Sequence, residues 1–215
     1  MNTSRHVAHT WWRRYRIDTT RAPPPMSRAD PTALYRDGVT DPTVRLATID
    51  DIDRIVALAT AAYRGTGDDA GWTTESHLLD GERTNVDEVT EAISGNRSAV
   101  LLAELDGATV GVIKVEQRGT DGAGFGLFAV DPTRQSGGTG SRLLDEAERI
   151  ARDEWGRSWM QLEVLHQRAD LQAWYRRRDY EPTGETQPFP YEDERFGLPK
   201  ADDLVFDVYQ RRLRP

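Results

Sequence analysis

The chain has 215 residues, a formal net charge of −8, four His and no Cys, with 37% hydrophobic and 30% charged residues. The length suits one domain, or one domain with an appended tail, and the missing cysteines exclude disulfides, thiolate metal sites and thiol nucleophiles. The scattered histidines form no H-x-x-x-H pair, so we expect no metal. Because it has neither an apolar run of about 18 residues nor a signal peptide, we expect a cytoplasmic protein without a membrane partner.

Residues 1–43 differ from the rest in charge and pattern. They hold seven Arg and four Asp, a net of +3, which leaves −11 for residues 44–215. Without helical or alternating periodicity they predict a partly disordered tail, followed by one domain from residue 44. A transit peptide and a nucleic-acid-binding arm are alternatives to the interpretation we favour, a true start at Met26. The acidic remainder repels nucleic acid and favours small cationic partners such as amines.

From residue 44 the pattern predicts strands and helices in a mixed order, separated by turn residues. In chain order they are a strand at 44–47, a helix from 52, a helix at 86–93 capped by Asn85, strands at 98–105, 109–116 and 125–130, a helix ended by Gly156, a strand at 159–165, a helix at 169–178, and strands at 180–186 and 204–210. Loops are predicted at 118–124 and 187–199. The fold class is α/β (mixed α+β), with one central mixed sheet of about six to seven strands and helices on both faces.

A glycine-rich loop, residues 135–140, joins the strand at 125–130 to the next helix. Free N–H groups at a helix start attract anions, and glycines let a phosphate approach the backbone closely. A Walker loop does not fit, because Gly140 is followed by Ser141 rather than lysine. A dinucleotide loop does not fit either, because Leu143 stands at its third glycine. An anion site and a plain strand-to-helix turn both remain open from the loop alone.

Two segments resemble the GNAT superfamily of acetyl-CoA-dependent N-acetyltransferases. Gln135-x-x-Gly138-x-Gly140 resembles the Q/R-x-x-G-x-G/A loop with which these enzymes hold the cofactor's pyrophosphate. Residues 171–180 resemble the family's A-x-x-x-Y-x-x-x-G-F/Y segment, with Asp179 at the usual glycine. Asp tolerates the left-handed conformation better than most residues, so we expect the turn to survive. The likeness covers about residues 44–210 in element order and implies a GNAT fold.

The resemblance also assigns cofactor contacts and a general acid. It implies that backbone groups at the end of the strand bind pantetheine and the thioester oxygen (Phe128, Ala129 and Val130). It implies that the loop binds the pyrophosphate (Gln135, Ser136, Gly137, Gly138, Thr139, Gly140 and Ser141). Tyr175 falls at the position of the family's Tyr, and a phenol can protonate a thiolate leaving group. A purely structural role in the core is the alternative for Tyr175.

The general base is less clearly indicated. The strand at 125–130 carries no carboxylate or His, although many relatives place their base there. Glu163 on the following strand is our candidate, with Glu104, Glu116 and His166 as alternatives. A water chain could also deprotonate the amine.

Three residues in loops are predicted to contact the acceptor: Trp72, Glu75 and Tyr191. A carboxylate and aromatic rings suit an ammonium group, whereas loop packing by Trp72 and helix capping by Glu75 are the alternatives.

We therefore predict direct acetyl transfer from acetyl-CoA to a small-molecule primary amine, without a metal. Acetylation of a protein Lys or N-terminus, and acetyl-CoA sensing without turnover, are the other hypotheses. Dimers are common in the family, so a homodimer is also an option.

Overall fold

A computed structural model describes residues 41–65, 71–135 and 137–213 of the chain. The predicted tail therefore lies almost wholly outside the described residues, as does Ser136 of the predicted cofactor loop. The rest forms a seven-stranded mixed sheet with helices packed on both faces, which confirms the predicted fold class.

The helices and strands are numbered in chain order. The helices are α1 (Ile52–Arg64), α2 (Val86–Ser94), α3 (Thr139–Arg149) and α4 (Ala169–Arg176). The strands are β1 (Thr43–Leu46), β2 (Leu79–Asp80), β3 (Ser98–Leu105), β4 (Ala108–Arg118), β5 (Gly122–Val130), β6 (Trp159–Leu165), β7 (Glu181–Pro188), β8 (Leu198–Pro199) and β9 (Val205–Arg212). A π-helical turn, Ile150–Glu154, extends α3.

The strands of the main sheet run in the order β1-β3-β4-β5-β6-β9-β7, and β2 pairs with β8 in a separate ribbon. Every neighbouring pair is antiparallel except β5 and β6, which are parallel. These two strands pair only from Gly122 to Gly124 on β5. Beyond Gly124 the strands separate, so that a cleft opens inside the sheet.

A β-bulge on β5 lies at the start of this cleft. The pairing register between β5 and β4 shifts between Val112 and Lys114. The single β4 residue between these two faces two residues of β5, Leu127 and Phe128. Leu127 has φ +45, a left-handed conformation that is rare for a residue with a side chain. Because of the bulge, Phe125 packs on one face of the sheet and Leu127 on the other. Such strain clusters at functional sites.

Each face of the sheet has its own core. The α3 face buries Leu143, Leu144 and Ala147 of α3 against β4, β5 and β6, and Tyr175 of α4 joins them. The opposite face buries α1 and α2 against β3, β4 and β5. The apolar stripe on each helix is the sequence reason for this packing, because a helix must bury such a stripe.

Several local predictions are confirmed and others are wrong. Asn85 caps α2 by accepting a 3.0 Å hydrogen bond from the Glu88 N–H, and Asp179 has φ +62 after α4. The predicted loop at 118–124 is wrong, since β5 already begins at Gly122. The loop at 187–199 contains β8, whose pairing with β2 was not predicted.

Candidate active site in the cleft between β5 and β6

The cleft exposes backbone polar groups along one edge of β5. Since β6 pairs no further than Gly124, the edge of Phe128 and Val130 that faces β6 has no strand partner. Two of its carbonyls bind side chains instead. Phe128 O accepts a 2.8 Å hydrogen bond from the Tyr63 hydroxyl, and Val130 O accepts one of 3.2 Å from Gln135 Nε2. The edge therefore resembles an unfilled strand position within the sheet.

The glycine loop leads directly into the N-terminus of α3. Gly138 has φ +83, where only glycine is free of strain, and a Cβ added there would meet nothing within 4 Å. The first intrahelical bond is donated by the Arg142 N–H to Gly138 O, at 3.0 Å. The N–H groups of Thr139, Gly140 and Ser141 precede it, so they have no partner inside the helix. Open space in front of free N–H groups fits an anionic ligand.

Gln135 uses its side chain to hold neighbouring backbone. Its Oε1 accepts a 2.8 Å hydrogen bond from the Trp72 N–H, while Nε2 donates to Thr73 Oγ1 at 2.9 Å as well as to Val130 O. A side chain with all these bonds ties residues 71–75 to the end of β5. We call residues 71–75 the strap. The side chain of Gln135 thus contacts the strap in this structure, and the predicted binding of the cofactor by Gln135 is untested.

Arg168 holds the strap from the other side of the cleft. It lies between β6 and α4, is 3% exposed, and donates hydrogen bonds of 2.7 to 3.1 Å to the carbonyls of Trp72, Thr73 and Thr74. Asp170 pairs with the same guanidinium at 2.9 and 3.0 Å. Trp72 is consequently bonded through its N–H to Gln135 and through its carbonyl to Arg168. The strap is fixed to both sides of the cleft, and its Trp72 ring is exposed.

The strap places Glu75 beside a cluster of tyrosines and arginines. The Glu75 N–H donates to Tyr63 O at 2.9 Å, and the carboxylate lies 3.8 Å from Arg64 and 3.9 Å from Arg168. The guanidinium of Arg83 lies 4.6 Å from the centre of the Tyr63 ring. The predicted acceptor contact Glu75 is therefore part of a charged, largely buried cluster.

Tyr175 lies on the α4 side of the cleft with a free hydroxyl. Its ring is 7% exposed and packs 5.9 Å from Phe125 and 5.1 Å from Trp174, centre to centre. No residue in the described ranges hydrogen-bonds its hydroxyl. Burial raises the pKa of Tyr175 well above 10, Tyr63 and Glu75 raise it further, and the nearby arginines oppose them. The phenol is thus protonated at neutral pH and able to donate.

Glu163 lies in a different ion-pair network. Its carboxylate accepts hydrogen bonds of 2.6 and 3.1 Å from Arg118, which also lies 3.4 Å from Glu116. Within the described parts of the chain no contact joins Glu163 to Tyr175 or Tyr63. The alternatives are also paired elsewhere, Glu104 with Arg45 at 2.7 Å and His166 with Asp207 at 2.9 Å. The role of Glu163 as a base stays a prediction, and Glu75 is the carboxylate that lies with Tyr63.

Tyr191 contributes to the packing of the loop before β9. Its hydroxyl accepts a 2.7 Å hydrogen bond from the Leu204 N–H, and its ring lies 5.2 Å from that of Phe189. These contacts give Tyr191 a structural role, and its predicted contact with an acceptor is untested.

Sequence reasoning missed Tyr63, Arg83 and Arg168. Tyr63 belongs to the apolar stripe of α1, where nothing distinguishes it from a core residue. The one available signal was the position of Arg168, directly after a buried strand and before a helix, where functional residues of α/β folds collect.

Comparison with known proteins agrees with this geometry. Residues 96–182 match the family model of the acetyltransferase (GNAT) domain, and no curated protein sequence matches the chain. Among solved structures, ribosomal-protein-alanine N-acetyltransferase from Brucella melitensis is 20% identical with a TM-score of 0.57, covering 80% of this chain and 99% of that one. YncA from Salmonella typhimurium, solved with its cofactor acetyl-CoA, is 19% identical with a TM-score of 0.58, covering 82% and 96%. Spermidine/spermine N-acetyltransferase SpeG from Vibrio cholerae is 13% identical with a TM-score of 0.58, covering 80% and 93%.

The matched residues span the part of the fold that builds the cleft. They include β5, the glycine loop, β6 and Tyr175, while the likeness to the solved structures extends over the surrounding sheet. No helix in the described ranges is long and apolar enough to cross a bilayer. Within the same ranges no group of three or more acidic or His side chains could hold a metal ion. Residues 96–182 thus match the acetyltransferase (GNAT) domain, and both the separation of β5 from β6 and the glycine loop lie inside this match.

Proposed function

We propose that this protein transfers the acetyl group of acetyl-CoA to the primary amine of a small molecule, by direct attack of the amine. The observation that carries the proposal is Tyr175, a buried phenol with a free hydroxyl in the cleft between β5 and β6. A protein that only bound acetyl-CoA as a sensor would not need a proton donor in this cleft.

The residues present fit acetyl-CoA. The N-terminus of α3 offers free N–H groups behind Gly138, where a pyrophosphate would find open space and a favourable helix dipole. The edge of β5 offers backbone groups of Phe128 and Val130 to a chain of amides such as pantetheine. When bound, acetyl-CoA supplies an activated thioester. Ser136 belongs to the same proposed loop but lies outside the described residues.

The transfer forms a C–N bond and breaks the C–S bond of the thioester. The amine loses one proton, and the departing thiolate takes one, which Tyr175 is placed to donate. Glu75 is the carboxylate in the cluster that can attract the ammonium form of the acceptor or accept its proton. Glu163, bonded twice to Arg118, would first have to leave that pair. We therefore assign the acid role to Tyr175 and favour Glu75 over Glu163 for the amine.

The segments around the strap favour a small acceptor over a protein one. The ribbon of β2 and β8 fastens the segment after the strap to the loop before β9. Lys200 reinforces it through a 2.6 Å hydrogen bond to Ser76 O and a 2.9 Å ion pair with Asp80. A protein substrate needs an open groove for an extended segment, whereas these connections bridge the surface beside the site.

Calorimetry with acetyl-CoA on the wild-type protein and on Gly138→Asp tests the cofactor site. Gly156→Asp is the matched control, because Gly156 also has a positive φ, +64, and open space, but lies beyond the C-terminal end of α3. We expect binding to be lost in Gly138→Asp and kept in Gly156→Asp. Turnover with a panel of amines follows by the release of free thiol. No binding by the wild-type protein, or equal loss in both variants, would refute the proposed site.

A further inference from the structure

We infer that the acceptor carries a carboxylate close to its primary amine, and that the guanidinium of Arg83 binds this carboxylate. The acceptor class is thus a small amino carboxylate, such as an amino acid. This inference rests on the proposed N-acetyl transfer and names the substrate class of the same site.

Arg83 is a cation without a carboxylate partner. It is half-buried, and none of the carboxylates in the described ranges lies within 4 Å of it. Its recorded partner is Tyr63, whose ring it covers at 4.6 Å. Because no ion pair within 4 Å occupies its donors, the Arg83 guanidinium can bind a ligand carboxylate through two parallel hydrogen bonds.

The other arginines of the cluster are already bonded. Arg64 donates to Gly81 O at 2.9 Å, and Arg168 donates to three carbonyls of the strap and pairs with Asp170. Both also lie within 4 Å of Glu75. Arg83 is therefore the arginine of the cluster with donors left for a ligand.

The chemistry of the acceptor agrees with a carboxylate at Arg83. An amine must be neutral when it attacks, so a reacting acceptor brings only the charge of its other groups. A carboxylate on the acceptor can form two parallel hydrogen bonds with the Arg83 guanidinium, whereas a plain amine or a polyamine cannot.

The position of Arg83 places this carboxylate beside the reacting groups. Arg83 contacts Tyr63, and the Tyr63 hydroxyl donates to Phe128 O at the bulged edge of β5. Tyr175 lies within electrostatic range of both Tyr63 and Arg83. A ligand held by Arg83 therefore lies about one side chain from the strand edge proposed to hold the thioester, a distance that an amine adjacent to the carboxylate spans.

The experiment compares amino acids with their decarboxylated and methyl-ester counterparts, such as phenylalanine, phenethylamine and phenylalanine methyl ester. We expect the wild-type kcat/KM to be about 10- to 100-fold higher for the acid, the effect of a charged hydrogen-bonded pair of roughly 1.5–3 kcal/mol. Arg83→Met should raise KM for the amino acid by a similar factor and leave the amine unchanged. Arg83→Lys should restore part of the preference. Arg54→Met, which removes an exposed Arg of α1, is the control and should keep it.

Each contrary result has a distinct meaning. Equal or faster turnover of the decarboxylated amine by the wild-type protein would overturn the inference and leave the proposed N-acetyl transfer intact. An equal loss toward both compounds in Arg83→Met would show that Arg83 only orients Tyr63. Acetyl-CoA binding without turnover of any amine would instead refute the proposed function itself. If Arg83→Met does not fold, the wild-type comparison of acid, ester and amine still decides.

Discussion

The attachment of the strap to Gln135 can be tested by changing a residue that makes none of its hydrogen bonds. A Cβ added at Gly71 would lie 2.6 Å from Nε2 and 2.7 Å from Oε1 of Gln135. These distances are shorter than any contact that a Cβ tolerates, and the atoms in the way are the end of a flexible side chain. Gly71→Ala should therefore push the Gln135 amide away from Trp72, Thr73 and Val130.

The expected magnitude follows from the three displaced hydrogen bonds, of 2.8, 2.9 and 3.2 Å. At about 1 kcal/mol each, and with water replacing part of them, the strap should lose about 2 kcal/mol of local stability. Gln135→Ala should cost about the same. Gln135→Ala also empties the space that a Cβ at Gly71 would occupy. Adding Gly71→Ala to Gln135→Ala should therefore lower the local stability of the strap by almost nothing more, which gives a coupling energy of about 2 kcal/mol between the two substitutions.

Amide hydrogen exchange of the peptide that contains the strap is the assay. A local loss of about 2 kcal/mol predicts exchange roughly 30-fold faster in each single variant, and no faster in the double variant than in Gln135→Ala. Peptides from β3 and β4 should be unchanged and serve as the internal control. If the effects of the two substitutions add, Gly71→Ala acts on something other than Gln135, and the proposed attachment of the strap is wrong.

Three further predictions concern the acid, the entry to α1 and the buried end of α4. Tyr175→Phe should lower kcat by about 100-fold with little change in the free energy of unfolding, because its hydroxyl has no partner in the described structure; an unchanged kcat would remove its acid role. Arg45 lowers the pKa of Asp51, so this stabilisation is fully present above the ordinary value of 3.8 and is lost progressively as pH falls from 3.8 through the lowered folded-state pKa. Urea unfolding should show Asp51→Asn costing about 2–3 kcal/mol at neutral pH and clearly less at about pH 2; an equal cost at both would contradict the ion pair. Tyr180→Phe removes a 2.8 Å hydrogen bond to the buried Glu148 and should cost about 1–3 kcal/mol, measured by urea unfolding, where no loss would mean that water replaces the hydroxyl.

Strong periodicity and clear turn residues made most of the fold predictable. The bounds of β3 and β6 coincide with the prediction, because apolar residues there alternate or run between unambiguous turns. The start of β5 was missed because Gly122, Gly124 and Gly126 occupy alternate positions, so the strand shows no apolar period there. Trp159 covers Gly122 and Arg118 covers Gly124, contacts that only the folded chain reveals.

The residues of the candidate site could be predicted from the sequence only where they belong to a sequence motif. The glycine loop and Tyr175 belong to motifs with fixed spacing, whereas Arg83 and Arg168 come together through the path of the strap. The base role of Glu163 was predicted from the position of a carboxylate on a strand. Its partner Arg118 lies on β4, with β5 in between, and could not be foreseen. Ion pairs between distant segments leave no periodic trace in a sequence, which is why the choice between Glu75 and Glu163 needed coordinates.

The separation of β5 from β6 has a consequence for how much the sequence can change. An unfilled strand position presents N–H and C=O groups, which nearly every residue type supplies equally well. Substitutions along such an edge alter side chains while the groups offered to a partner stay the same. Recognition of this kind constrains the path of the backbone more than the identity of its residues. The Vibrio cholerae structure shares the fold at a TM-score of 0.58 with 13% identity, so the path of the backbone is similar where most residues differ.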